Sequence, residues 1–268
     1  MHLSRTFCRR QISSSLRATM DDVASSKRAA FVAYMTAGFP AKSDTVELLL
    51  GLQEGGADII ELGVPFSDPQ ADGPTIQAAN MLALEHDTSM HDCLDFVREA
   101  RAGGLTVPVV LMGYFNPFLA YGKDRLIPDA AAAGVDGLII VDLPPEEDAL
   151  FVAQCHAADI AFVPLVTPTS SDERIKSLGD SAGSFIYVVS DTGITGTRTD
   201  MNSELATFVE RIKTQTKKPL AVGFGISTAE HVANVSKLAD GVVVGSAIVN
   251  AVAKDAASSP AAKRANVA

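Results

Sequence analysis

From residue 29 onward, short apolar runs rich in β-branched residues alternate with stretches of helical periodicity, and few folds accept that pattern. Eight runs recur, at Phe31–Thr36, Asp58–Val64, Val107–Gly113, Gly137–Val141, Ile160–Val166, Phe185–Ser190, Leu220–Phe224 and Gly241–Val244. They are almost continuously apolar, as expected of strands covered on both faces in a parallel sheet. Between them apolar residues fall at helical spacing, as in Thr45, Leu48, Leu49 and Leu52, or Leu205, Phe208, Val209 and Ile212. Ser43 and Ser227 are expected as helix N-caps, the second in a capping box with Glu230. Open doubly wound sheets share this alternation. Eight units in about 220 residues favour closure into a single (β/α)8 TIM barrel of the α/β class, placed over residues 21–250. A small-residue turn ending in aspartate recurs before strands, at Gly55–Asp58, Ala133–Asp136 and Ala239–Asp240, as repeated units would require.

Composition narrows the function. With 47% hydrophobic and 20% charged residues the chain can build a sizeable core, which excludes a disordered protein. No run of about 18 apolar residues lacks charges, so no membrane span is expected. The net charge of −10 argues against nucleic acid as a partner. It argues, at first sight, against a phosphorylated substrate as well. The charge is uneven: residues 1–20 hold Arg5, Arg9, Arg10 and Arg17 and no acid, leaving 18 basic and 32 acidic residues, or −14, in the remainder. That basic, serine-rich stretch reads as an organellar transit peptide or a disordered leader. The chain is accordingly expected in the cytoplasm, or in an organelle if the stretch is a transit signal. Cys8, Cys93 and Cys155 form no metal or disulfide spacing. Residues 251–268, rich in Ala, Ser and Lys, read as a linker-like tail.

In a barrel, chemistry sits at the C-terminal ends of strands. The second run carries Glu61 inside an apolar strand, where a carboxylate is costly unless paired or protonated. Such a group has the raised pKa that a general acid/base requires, although a structural carboxylate would look the same. Asp72 follows in a Pro/Gly-rich loop and is placed at the same mouth; Asp68 reads as ordinary turn chemistry. Gly223-Phe224-Gly225-Ile226-Ser227 and Gly245-Ser246-Ala247-Ile248 close the last two strands and open helices, the arrangement that binds phosphate through backbone N–H groups. Ser190–Thr199, with Gly193 and Gly196, suits a closing lid or a plain surface loop. No lysine lies at a strand end and the histidines are scattered, so neither a Schiff base nor a histidine-rich metal site is indicated. The residues point to cofactor-free acid/base chemistry by two carboxylates on a phosphorylated substrate.

The stretch ELGVPFSDPQADGPTIQ, Glu61–Gln77, closely resembles the signature of the tryptophan synthase α subunit family. Similarity continues through FVAYMTAG (Phe31–Gly38), VVLMGYFN (Val109–Asn116), VDLP (Val141–Pro144), IYVVSDTGITG (Ile186–Gly196), GFGIS (Gly223–Ser227) and VGSAI (Val244–Ile248). The resemblance implies a (β/α)8 lyase that cleaves indole-3-glycerol phosphate into indole and glyceraldehyde 3-phosphate, without cofactor, by retro-aldol chemistry. By the same resemblance, Glu61 moves the protons and Asp72 holds the indole N–H. Tyr34, Met112 and Tyr187 line the indole pocket, and Thr195 and Gly196 belong to the lid. Phe224, Gly225, Gly245 and Ser246 surround the phosphate. The family also implies a β subunit, or a fused β domain, docking near Pro65–Asp72 and Tyr114–Pro117. Asp191 departs from the family pattern by placing an acid in the lid.

Two other readings stand beside the lyase. One is a different cofactor-free phosphate barrel, such as an isomerase, which would use carboxylates from two separate strands. The other is a non-catalytic α-like barrel that only activates a β subunit.

Overall fold

The computed structural model describes residues 12–189, 198–223, 225, 226, 228–254 and 259–267. Its strands are β1 (Ala30–Thr36), β2 (Ile59–Gly63), β3 (Val109–Gly113), β4 (Gly137–Ile140), β5 (Ala161–Phe162), β6 (Leu165–Val166), β7 (Ile186–Val189), β8 (Leu220–Gly223) and β9 (Gly241–Val244). All pair in parallel, in the order β5-β4-β3-β2-β1-β9-β8-β7-β6. Nine strands arise from eight runs because the fifth is interrupted. Pro164 has no N–H to give to a ladder. On one side of the break Val163 donates to the Leu138 carbonyl at 3.0 Å; on the other, the Pro164 carbonyl accepts from Tyr187 at 3.0 Å. The two pieces therefore close the ring between β4 and β7, and the molecule is the expected TIM barrel.

Among the described residues seven strand-to-strand connections carry helices over the outside, and a further helix follows β9. These include α2 (Thr45–Glu54), α3 (Pro74–Glu85), α4 (Met90–Ala102), α5 (Phe115–Tyr121), α6 (Lys123–Ala133), α7 (Ala149–Ala157), α8 (Asp172–Ser181), α9 (Arg198–Gln215), α10 (Ala229–Val235) and α11 (Ser246–Lys254). The caps differ in part from expectation. A 3-10 turn over Lys42–Asp44 precedes α2, so Ser43 lies within that turn and does not cap. Thr228 rather than Ser227 caps α10, accepting the His231 N–H.

The recurring aspartates have a physical role at the foot of the barrel. Asp58 accepts the Phe31 N–H at 2.8 Å, Asp136 the Val109 N–H at 2.8 Å, and Asp240 the Leu220 N–H at 2.9 Å. Each thus satisfies an N–H at the lower end of the preceding strand, a group that would otherwise be a costly unpaired donor. Arg28 forks onto Asp58, and Arg101 reaches Asp136 at 2.7 Å.

Both ends of the chain depart from the sequence reading. Helix α1 (Ile12–Ser25) runs through the second half of the stretch assigned to a leader. Leu16, Met20 and Val23, spaced on one helical face, are buried in the core, so the barrel begins inside that stretch. Residues 1–11 lie outside the described residues. The tail is not a linker over its last helix. Helix α12 (Pro260–Val267) lies along α2, with Gly51 leaving room where a Cβ would come within 2.6 Å of the Arg264 carbonyl oxygen. Lys263 Nζ meets Asp44 Oδ2 at 2.8 Å with both side chains buried, and Arg264 binds Glu47 and Glu54. Ala-rich composition suggested solvent, but small side chains are what permit this close approach.

Candidate active site

Glu61 is the one charged residue type within β2, and it is buried to 1% exposure. Its neighbours by register are Tyr34 on β1 and Val110 on β3. Residues paired across parallel strands point to the same side of the sheet, so Tyr34 and Glu61 share the barrel interior. Among the described residues neither carboxylate oxygen of Glu61 has a hydrogen-bond partner. Desolvation first, and then the charge of Asp72, push its pKa up to about 8. A carboxyl group held this way keeps its proton at neutral pH.

Asp72 sits half-buried in the loop after β2, where its own N–H donates to the Pro69 carbonyl. Burial raises its pKa to about 6, against the opposing effect of a hydrogen bond from Tyr114. The two carboxyls titrate apart, Asp72 first and Glu61 later. Near neutral pH the site therefore holds one carboxylate and one carboxylic acid, a division suited to acid/base work. Asp68 is exposed and accepts a hydrogen bond within its own turn, from Gln70.

Tyr34 and Tyr187 are both buried, and burial holds both phenols well above their ordinary pKa, so they remain neutral. The charges of Glu61 and Asp72 add to the effect of burial on both phenols. Two glycines make room for these phenols. A Cβ on Gly63 would lie 2.3 Å from the Tyr34 Oη, and one on Gly223 would lie 2.1 Å from the Tyr187 Oη. Any side chain at either position would displace a phenol from the barrel mouth. Met112, opposite Gly63 in register, adds an apolar wall.

The glycine turns after the last two strands also stand at the mouth. Gly225 takes the left-handed conformation at φ +73°, which favours glycine. Gly245 links β9 to α11, with its carbonyl accepting the Val249 N–H, so the helix opens at Ser246. Phe224, Ser227, Asp191, Thr195 and Gly196 lie outside the described residues.

Sequence reasoning passed over Tyr114, naming it only within a surface range. It follows β3 directly and joins two loops: its Oη accepts the Ala71 N–H at 2.9 Å and donates to Asp72 Oδ2 at 3.4 Å. Its ring lies 5.3 Å from that of Phe66. A hydroxyl-bearing aromatic just beyond a strand's C-terminal end was the available signal. Asp142, past β4, accepts the Phe115 N–H at 2.6 Å and so is engaged at the start of α5.

Known proteins agree with this picture. A family model described as the tryptophan synthase alpha chain matches residues 20–268. A tryptophan synthase of Saccharomyces cerevisiae is 50% identical over 239 residues, covering 89% of this chain and 34% of its own length. The present chain therefore spans about a third of that yeast relative. A tryptophan synthase alpha chain from Legionella pneumophila is 37% identical with a TM-score of 0.84, the match covering 96% of this chain and 94% of that one. A tryptophan synthase structure from Mycobacterium tuberculosis is 36% identical with a TM-score of 0.83, covering 94% and 96%. With barrel, strand-two carboxylates and these similarities in agreement, the chain belongs to the tryptophan synthase alpha chain family.

Proposed function

We propose that this chain performs the α reaction of tryptophan biosynthesis, cleaving indole-3-glycerol phosphate into indole and glyceraldehyde 3-phosphate. The observation that carries the proposal is the pair of separated carboxyls: protonated, unpartnered Glu61 beside ionised Asp72. The Glu61 carboxylic acid gives its proton to indole C3, which turns that carbon into a leaving group. Asp72 accepts the indole N–H and stabilises the positive charge that develops on the ring. The Glu61 carboxylate then takes the proton of the adjacent glycerol hydroxyl as the carbon–carbon bond breaks, and its electrons return to the ring. An aldehyde forms and Glu61 ends with the proton it began with. Tyr34, Met112 and Tyr187 enclose the indole. The turns at Phe224-Gly225 and Gly245-Ser246 take the phosphate, and Thr195 and Gly196 close over it. Backbone N–H groups at helix starts bind a phosphate without basic side chains, which reconciles a −10 chain with an anionic substrate.

A β partner, subunit or fused domain, is placed on the surface made by Pro65–Asp72 and Tyr114–Pro117. Tyr114 supports this placement, because it ties that surface to Asp72. Tyr114→Phe is expected to lower turnover about tenfold, the effect of losing one hydrogen bond to a charged group. It is also expected to raise the acid limb of the pH–rate profile, since the bond now lowers the Asp72 pKa. Steady-state kinetics between pH 5 and 8 would show both; an unmoved acid limb would remove Tyr114 from the Asp72 circuit.

The decisive assay is indole formation from indole-3-glycerol phosphate, with and without a β subunit. Indole is expected in both conditions. Its absence from both would leave only the non-catalytic barrel. The isomerase reading is disfavoured because both site carboxylates come from β2 and its loop, while Asp142, just past β4, is engaged elsewhere.

A further inference from the structure

At the foot of the barrel, opposite the mouth, lies a cleft of about 380 Å³ between α1, α8 and the segment leading from α9 into β8. Four of its lining residues are cations, Arg17, Lys176, Lys217 and Lys218, against one acid, Asp180. This reverses the sign of the whole chain, in which 32 acids face 22 bases. Thr214, Gln215 and Thr216 complete the wall with neutral hydrogen-bonding groups. Gly179 forms the floor: a Cβ there would fall 2.6 Å from the Thr216 Oγ1, so the close approach of α8 depends on its absence.

The positive charges are only partly neutralised. Arg17 pairs with Asp21 at 3.0 Å, an exposed contact one helical turn along. Lys218 Nζ donates one hydrogen bond to the Ala182 carbonyl at 2.6 Å. Among the described residues neither Lys176 nor Lys217 has an ion-pair partner. Burial, and then the Arg17 charge, hold the Lys218 amine below its ordinary pKa, while Asp180 opposes them. Like charges gathered in one cleft repel one another unless an anion sits among them.

We propose that this cleft is a second anion site, taking a compact polyanion that carries phosphate groups. Its volume matches a small ligand rather than a macromolecular surface, and the net charge of the chain disfavours an extended nucleic-acid backbone. Lysines acting as point charges, with the Thr216 hydroxyl beside them, suit tetrahedral oxyanions better than planar carboxylates. Nothing in the site involves Glu61, Asp72 or the glycine turns, so the inference stands whether or not the chain is a lyase.

Calorimetric titration of the full chain with inorganic pyrophosphate at physiological salt tests this, alongside Lys176→Gln/Lys217→Gln and Lys176→Arg/Lys217→Arg. Both positions are exposed, so the folded state should survive. Wild type is expected to bind saturably, the glutamine pair at least ~10-fold more weakly, as two charge-assisted contacts are lost, and the arginine pair nearly as well as wild type. No binding by wild type, or unchanged binding in the glutamine pair, would overturn the site. Loss in the arginine pair would overturn its electrostatic basis. Citrate titrated in parallel should bind more weakly; equal affinity would overturn the assignment to phosphate.

Discussion

Glu61→Gln is expected to reduce indole release by roughly 10³-fold, the range in which a positioned general acid/base contributes, while a phosphate-bearing ligand still binds within about twofold of wild type. Glutamine keeps the shape of the side chain and the packing against Tyr34, but can neither give nor take the proton. Turnover near the wild-type rate would remove Glu61 from the chemistry. The same variant has a second signature, in stability. Burial holds the Glu61 pKa at about 8, above the ordinary value of 4.5. Between those two pH values the folded chain keeps a proton that the unfolded chain has released. Stability from this group is therefore full at low pH and falls as pH rises through about 8, by something on the order of 3–5 kcal/mol. Asp72 contributes a similar but earlier decline, centred below about 6. Urea unfolding at pH 6 and pH 9 should show wild type losing stability and Glu61→Gln nearly level. Parallel behaviour of the two proteins would mean that Glu61 is already ionised in the fold.

The second large effect involves none of the site residues. Lys263→Ala is expected to destabilise the chain by about 3–5 kcal/mol, because it leaves the buried Asp44 carboxylate without its counter-charge. Asp44→Leu combined with Lys263→Met should recover most of that loss, since an apolar pair of similar volume avoids desolvating two ions. Denaturant midpoints of the single and double variants measure both. A cost below about 1 kcal/mol for the single variant would show that α12 is only loosely docked, since an exposed pair is worth no more than that.

Strand positions were readable because a strand covered on both faces has no reason to include polar residues, and these runs rarely do. Glu61 was readable for the same reason, as the exception. Pro164 stood in plain view within the fifth run, yet the run was read as unbroken because periodicity weighs apolar content over lost donors. Charge composition hid α1: four arginines drew attention away from Leu16, Met20 and Val23 on one face. At the other end, Ser259-Pro260 carried a helix-start signal, with Ser259 accepting the Ala262 N–H, but alanine and lysine content suggested a linker. Tyr114 could not have been recognised from local pattern, because its partner Asp72 lies 42 residues away. Contacts of that kind exist only once the strands are side by side.

The aspartates at the foot of the barrel bear on how such a ring is assembled. Asp58, Asp136 and Asp240 each tie one strand to the strand immediately before it, across separations of 27, 27 and 20 residues. Closing loops of that size costs little more than closing shorter ones, and far less organisation than joining distant parts of the chain. β1 with β2, β3 with β4, and β8 with β9 are thus fastened as neighbouring pairs by side chains that play no part in the chemistry above them. A barrel fastened in this way is a set of prefabricated βαβ panels, and its circumference can be completed panel by panel rather than in a single event.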